Sequence, residues 1–192
     1  MNIFFFGGSF DPPHKAHKLI YKNCINLCDK FIFVPSNQSP GKDMPKAKSK
    51  IRIEMLNSII EKEDRSKVLI DLYEINSGLK PNFTIDTIKH LKDKYKNATL
   101  NMVIGQDQYE NIKNWHDSDK ILQLVKIICF NRKNKNNKNN KNNDIDIIDF
   151  NINISSTQIR KKIAIGQFED IKNFITEDTI NIIKNNNLYE KL

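Results

Sequence analysis

Three cysteines in 192 residues, with no Cys-x-x-Cys pair, cannot build a disulfide framework or a zinc knuckle. Cys24 and Cys28 lie four apart in a helical pattern and Cys129 sits in an apolar run, so all three are expected as reduced, packed thiols of a cytoplasmic protein. No apolar stretch approaches the roughly 18 to 20 residues that a bilayer span needs. The best candidate, Val125 to Phe130, already contains Lys126. Met1 to Phe6 has no basic leader in front of it and turns at Gly7-Gly8, which reads as a strand and not as a secretory signal. The common nucleotide and hydrolase fingerprints are missing too. Gly41-Lys42 is followed by Asp43, so there is no G-x-x-x-x-G-K-[ST] loop, and neither G-x-G-x-x-G nor G-x-S-x-G occurs. Kinase, GTPase, dinucleotide-dehydrogenase and serine-hydrolase readings lose their main support.

What is present is enough to fold. With 39% hydrophobic residues and 11 Phe the chain can bury a core, and its length favours one domain over residues 1–192. The net charge of +8 suggests a nucleic-acid partner until it is located. Arg132 and four lysines fall inside Asn131 to Asn143, which holds only Asn and basic residues, and the remainder is close to neutral, at about +3. That tract has nothing apolar to bury and is expected as a mobile surface loop. The alternative, a basic arm for nucleic acid, is the weaker reading, so neither a nucleic-acid nor a membrane partner is expected. Homo-oligomerisation is left open.

Elsewhere strand-like and helix-like segments alternate. Ile3 to Phe6, Phe31 to Val34, Val68 to Leu72, Leu100 to Ile104, Val125 to Phe130 and Ile145 to Phe150 read as strands. Helical spacing marks Leu19 to Leu27, Ile51 to Ile60, Ile85 to Leu91, Thr157 to Ile165 and Ile171 to Ile183. Continuously apolar strands between helices imply an α/β fold, a doubly wound and mostly parallel sheet with helices on both faces. Ligands of such folds bind beyond the carboxyl ends of the strands, so the segments just after strands are where chemistry should lie.

After the first strand comes Gly7-Gly8-Ser9-Phe10-Asp11-Pro12-Pro13-His14-Lys15-Ala16-His17. The glycines allow close approach of a ligand, and Asp11 is expected to cap a helix entered through the prolines. His14 and His17, three apart, share a helix face and can donate to one anion at the helix amino end. Zinc is disfavoured, because His-Lys-Ala-His lacks a base and His90 and His116 follow no ligand spacing. The second constellation, Ile154-Ser155-Ser156-Thr157-Gln158-Ile159-Arg160, again joins a strand to a helix, with hydroxyls that can cap it and an arginine one turn along. Together the two segments describe a two-helix phosphate clamp.

These residues resemble the two signatures of the nucleotidyltransferase superfamily, [GS]-x-F-D-P-x-H-x-x-H and I-S-S-T-x-x-R. Between them, Pro81-Asn82-Phe83-Thr84-Ile85-Asp86-Thr87 is similar to a P-S-Y-T-x-x-T element, and Ile104-Gly105-Gln106-Asp107 followed by Trp115-His116 is similar to an I-G-x-D…W-H element. Those elements are shared with the nicotinate-nucleotide adenylyltransferases, and the resemblance runs from Asn2 to about Tyr189. It implies a Rossmann-like fold and adenylyl transfer from ATP to nicotinate mononucleotide, giving deamido-NAD and pyrophosphate in NAD biosynthesis. A sister enzyme acting on phosphopantetheine shares the end motifs and is the nearest alternative.

The resemblance also implies roles. His14, His17 and Arg160 would be catalytic and would bind ATP together with Gly8, Ser9, Phe10, Gly105, Asp107, Ser155, Ser156 and Thr157. Gly7, Ser9, Lys42, Thr84, Trp115 and Arg132 would meet the mononucleotide, Trp115 by stacking on the pyridine ring. Magnesium would arrive with ATP and be held by phosphate oxygens and water, without a protein metal site. The sequence also departs from the pattern. Ala16 stands for the usual Gly, Phe83 for Tyr and Ser39-Pro40-Gly41-Lys42 for P-P-H-K, and the Asn-Lys tract is an insertion.

Overall fold

The computed structural model describes residues 1–131, 145–149 and 154–190, with Asn131 and residues 145–149 described through their backbone alone. In chain order the elements are β1 (Asn2–Gly8), α1 (Lys15–Cys24), β2 (Lys30–Pro35), α2 (Ser49–Ser58), β3 (Val68–Ile70), α3 (Tyr73–Asn76) and α4 (Thr84–Lys94). They continue with β4 (Thr99–Gly105), α5 (Gln106–Glu110), α6 (Ser118–Leu124), β5 (Lys126–Asn131), β6 (Ile145–Asp149), α7 (Ser156–Ala164) and α8 (Glu177–Asn185). The strands pair in the order β3-β2-β1-β4-β5-β6, and every pairing is parallel. This is the doubly wound sheet the alternation of segments predicts.

Each apolar strand feeds two cores, because successive side chains leave a pleated strand on opposite faces. Phe4, Phe6, Phe31, Phe33 and Phe130 point to one face, where Tyr21 of α1, Met55 and Leu56 of α2, Ile159 of α7 and Ile183 of α8 cover them. Ile3, Phe5, Ile32, Val34 and Met102 point to the other, under Ile85, Ile88 and Leu91 of α4 and Ile121 of α6. The three cysteines are buried and unpaired. Burial pushes the Cys24 thiol up to about 12 and those of Cys28 and Cys129 to about 11, so they pack as inert groups. Among the described residues no helix is long and apolar enough to cross a membrane.

The six expected strands are all present, with shifted ends. β3 stops at Ile70 because Asp71, after a last ladder bond to the Phe33 carbonyl, turns the chain and accepts the Tyr73 N–H on its carboxylate. The helix expected from Ile171 to Ile183 is divided into a short turn at Glu169–Ile171 and α8, whose start is capped by Thr176 accepting the Thr179 N–H. α3, α5 and α6 hold four, five and seven residues, too few for helical spacing to show in sequence. Asn131 closes β5, whereas the rest of the Asn-Lys tract, Arg132 included, lies outside the described residues.

The register of the central strands positions the site. β1 pairs with β4 only as far as Phe6 opposite Val103, yet β1 runs on to Gly8 beside β2, and β4 runs on to Gly105 beside β5. The two strands diverge at their carboxyl ends and open the crevice expected at a switch in strand order. A Cβ added at Gly7 would meet nothing within 4 Å, so the chain there borders open space.

Candidate active site

The first helix does not begin where its sequence suggests. His14, with extended backbone (φ −145°, ψ 172°), is the residue that caps α1, and Asp11 is not a cap at all. Asp11 is 2% exposed, and its carboxylate accepts the N–H groups of Lys46 (2.7 Å) and Ala47 (3.1 Å) and the Tyr189 hydroxyl (2.6 Å). Two prolines without N–H groups separate it from the helix, so its acceptors turn to donors of other segments.

At the cap, the His14 N–H donates to Nδ1 of His17 (3.1 Å), while the His17 N–H donates to the His14 carbonyl (2.8 Å). The two rings stack with centroids 3.7 Å apart. With Nδ1 acting as acceptor, neutral His17 carries its proton on Nε2 and is set as a donor. The Phe10 ring, 1% exposed, supports the His17 ring edge-on at 5.1 Å. A Cβ at Gly8 would come within 3.2 Å of the Phe10 ring, so the buried ring would have to give by a few tenths of an ångström. Ala16, 1% exposed, belongs to the core and leaves this arrangement intact.

The second helix end is built differently. Ser155 caps α7: its Oγ accepts the Gln158 N–H (3.3 Å), and Gln158 Oε1 accepts the Ser155 N–H in return (2.9 Å). Ser156 leaves its own helix and donates to the Pro12 carbonyl at 2.8 Å, which joins the amino ends of α1 and α7 across 144 residues. Arg160 reaches the same segment, with Nη1 2.6 Å from the Asp11 carbonyl and Nη2 3.3 Å from Thr157 Oγ1. A cavity of ≈ 490 Å³ opens beside this junction and is lined by Ser9, Lys42, Lys46, Ser156, Thr157 and Arg160 among others. Asp11 and Asp43 line it too, but Asp11 is held by its own donors and Lys42, Lys46 and Arg160 keep the lining net basic, which with the hydroxyls suits it to polyphosphate. Neither histidine lines the cavity itself; both stand at the adjoining cap.

The remaining sequence-selected residues lie along the carboxyl edge of the sheet. Gly105 ends β4 and Asp107 lies in the first turn of α5, with its carboxylate folded back so closely that a Cβ at Gly105 would meet it at 2.7 Å. Thr84 begins α4 under a cap at Phe83. Trp115 follows α5 and packs, partly buried, against the core cluster that α4 covers. The Phe83 and His116 rings meet at 4.4 Å and bring the Thr84 and Trp115 segments together.

A sequence profile of the cytidylyltransferase-like family matches residues 5–162. A protein of Aliarcobacter butzleri named probable nicotinate-nucleotide adenylyltransferase is 35% identical, the match covering 96% of this chain and 98% of that one. One of the same name from Clostridium tetani is 35% identical over 96% of each chain. The chain belongs to the cytidylyltransferase-like family. Among solved structures, the Plasmodium falciparum nicotinic acid mononucleotide adenylyltransferase complexed with NaAD superposes with a TM-score of 0.83 at 26% identity, covering 98% of this chain and 97% of that chain.

Within this cytidylyltransferase-like frame, two buried polar residues matter that the sequence reading gave no role, Arg52 and Asn82. Arg52, 2% exposed, donates from Nη1 to the Ser9 carbonyl (2.6 Å) and from Nε to the Ala47 carbonyl (3.2 Å), pinning the glycine-rich turn to the loop before α2. Burial depresses its guanidinium, and the Asp11 charge works against that. A signal existed: Arg52 precedes Met55 by three and Leu56 by four, which places a cation on the buried face of α2. Asn82, 4% exposed, exchanges bonds with the Gln38 backbone and donates to the Glu74 carbonyl and Ser77 Oγ. It ties the loop bearing Lys42 to the start of α4.

Proposed function

We propose that the protein transfers the adenylyl group of ATP to nicotinate mononucleotide, releasing pyrophosphate and forming deamido-NAD in the synthesis of NAD. The observation that carries this is the junction of two helix amino ends through Ser156 and Arg160, beside a cavity lined by hydroxyls and cations. The chain-long likeness to proteins named for this reaction supports the choice of acceptor.

The chemistry asks for no protein nucleophile. An oxygen of the mononucleotide phosphate, already anionic, attacks the α-phosphorus of ATP as the bond to the bridging oxygen breaks, and pyrophosphate leaves with the bonding electrons. The protein aligns the reactants and stabilises spreading negative charge. His17, oriented through its Nδ1, donates from Nε2, with His14 stacked beside it. Ser156, Thr157 and Arg160 hold the departing phosphates at the amino end of α7, and Lys42 adds charge from the facing loop. Asp107 takes the adenosine ribose hydroxyls, while Thr84 and Trp115 receive the pyridine ring.

Magnesium would arrive with ATP, held by phosphate oxygens and water, and would neutralise phosphate charge; the Asp11 carboxylate is already engaged by two backbone N–H groups and a phenol. Three buried thiols without disulfides suit a cytoplasmic setting. The test is pyrophosphate release from ATP with nicotinate mononucleotide, its amide and phosphopantetheine compared at equal concentration. The acid should be the best acceptor, and preference for phosphopantetheine would overturn the reading.

A further inference from the structure

Tyr189 lies four residues past the end of α8, 178 positions from the residue it serves. Its backbone has φ 65°, a region a tyrosine seldom adopts, and Asn187 two residues earlier has φ 47°. Such a conformation persists only where its surroundings determine it. Leu188 and Tyr189 pack against the core cluster that α1 and α7 cover, and the phenol reaches Oδ1 of Asp11 at 2.6 Å.

The other side of that carboxylate explains the contact. Oδ2 accepts the Lys46 N–H, and Arg160 Nη1 stands 3.9 Å from Oδ2 while bonding the Asp11 backbone carbonyl at 2.6 Å. Three donors orient that carboxylate onto the 46–47 loop, so the guanidinium stays at the outer edge of ion-pair distance. The guanidinium therefore remains at the rim of the phosphate cavity. Burial, and then the Asp11 charge, push the phenol far above its ordinary range, so it is a donor at any working pH.

We propose that Tyr189 is a positioning residue of the ATP site: its hydroxyl fixes the Asp11 carboxylate on the 46–47 loop and so keeps Arg160 available to the phosphates. The proposal rests on the adenylyl-transfer reading for the identity of the phosphate ligand. Without the hydroxyl, Asp11 turns towards Arg160 and pairs with it, and both ATP and pyrophosphate lose a cation.

The test is Tyr189→Phe in the full chain, with ATP and nicotinate mononucleotide affinities measured separately by calorimetry and KM for pyrophosphate measured in the reverse direction. The ATP dissociation constant and the pyrophosphate KM should rise about tenfold, in keeping with one charge-assisted contact, and mononucleotide affinity should stay within about twofold. Tyr21→Phe is the control, because that buried phenol bonds the backbone of Ile59 and Glu61 and is not part of the phosphate cavity; it should lower Tm without changing either affinity. Unchanged ATP binding in Tyr189→Phe, or equal losses for both ligands, overturns the proposal. If that variant does not fold, Asp11→Asn, which removes the charge that would capture Arg160, should bind ATP and pyrophosphate no more weakly than the wild type, and a tenfold loss of ATP affinity there overturns the proposal equally. A wild-type protein that binds ATP but transfers nothing to nicotinate mononucleotide refutes the activity, while ATP binding still decides the role of Tyr189.

Discussion

The two ends of the crevice, proposed above for the phosphates and for the pyridine ring, are held in different ways. At the phosphate end, polar side chains bond backbone carbonyls far away in sequence: Ser156 to Pro12, Arg160 to Asp11, Arg52 to Ser9. At the pyridine end, Thr84 and Trp115 sit on segments joined by one ring contact, Phe83 to His116, and by packing on the second core. Directional bonds preset a site for a ligand of fixed charge geometry, and apolar packing leaves a flat surface on which a ring can settle. The difference teaches which substitutions should touch chemistry and which should touch binding.

The sharpest break is His17→Ala. It should fold and lose on the order of a hundredfold or more in kcat, the cost of one preset donor to transition-state charge, with little change in KM for the mononucleotide. Near-normal turnover would leave the chemistry elsewhere. Arg160→Ala should act on ground and transition states together, raising KM for ATP and lowering kcat by about tenfold each. Steady-state kinetics with ATP varied would expose an unaffected variant.

Trp115→Ala addresses the other end. Loss of stacking worth about 1 kcal/mol should raise KM several-fold for both nicotinate and nicotinamide mononucleotide while leaving their ratio and the KM for ATP intact. A selective loss of the acid would show that the indole itself tells carboxylate from amide.

The smallest effects concern what supports α4. Burial alone would raise the Asp71 carboxyl, but Lys94, the Tyr73 N–H and His90 outweigh it and hold it below the usual range. Its contribution to stability is present above the unfolded value of about 3.9 and is lost as pH falls through the lower folded value. Burial raises the Glu74 carboxyl, against the hydrogen bond from Thr87. A raised carboxyl binds its proton more tightly in the folded chain, so its contribution is full below about pH 4.3 and fades as pH rises through the folded value. At neutral pH Asp71→Asn should therefore cost about 1 kcal/mol, and Glu74→Gln should be neutral or stabilising. Thermal unfolding at pH 5 and 8 separates them, since the benefit of Glu74→Gln should grow with pH.

Much of the fold and of the phosphate end is legible in local sequence. Order and type of the strands follow from short apolar runs bounded by turn residues, and the spacing of three brings His14 to His17 as expected, though as an extended cap residue and the third residue of the helix. Asp11 resembles a cap because its type and its position before two prolines fit that role locally, while its true donors come from residues 46, 47 and 189. The short helices α3, α5 and α6 leave no period to detect.

By itself, then, the sequence determined the alternation of elements, the two turns after strands and the side-chain chemistry those turns can carry, because each depends on residues within a few positions of one another. The tertiary structure alone decided that Ser156 would tie α7 to α1, that Arg52 would brace the glycine-rich turn and that the last turn of chain would close on Asp11. Hydrogen bonds across 43, 144 and 178 residues have no local signature, and their geometry exists only once the parallel sheet has brought the carboxyl ends of its strands together.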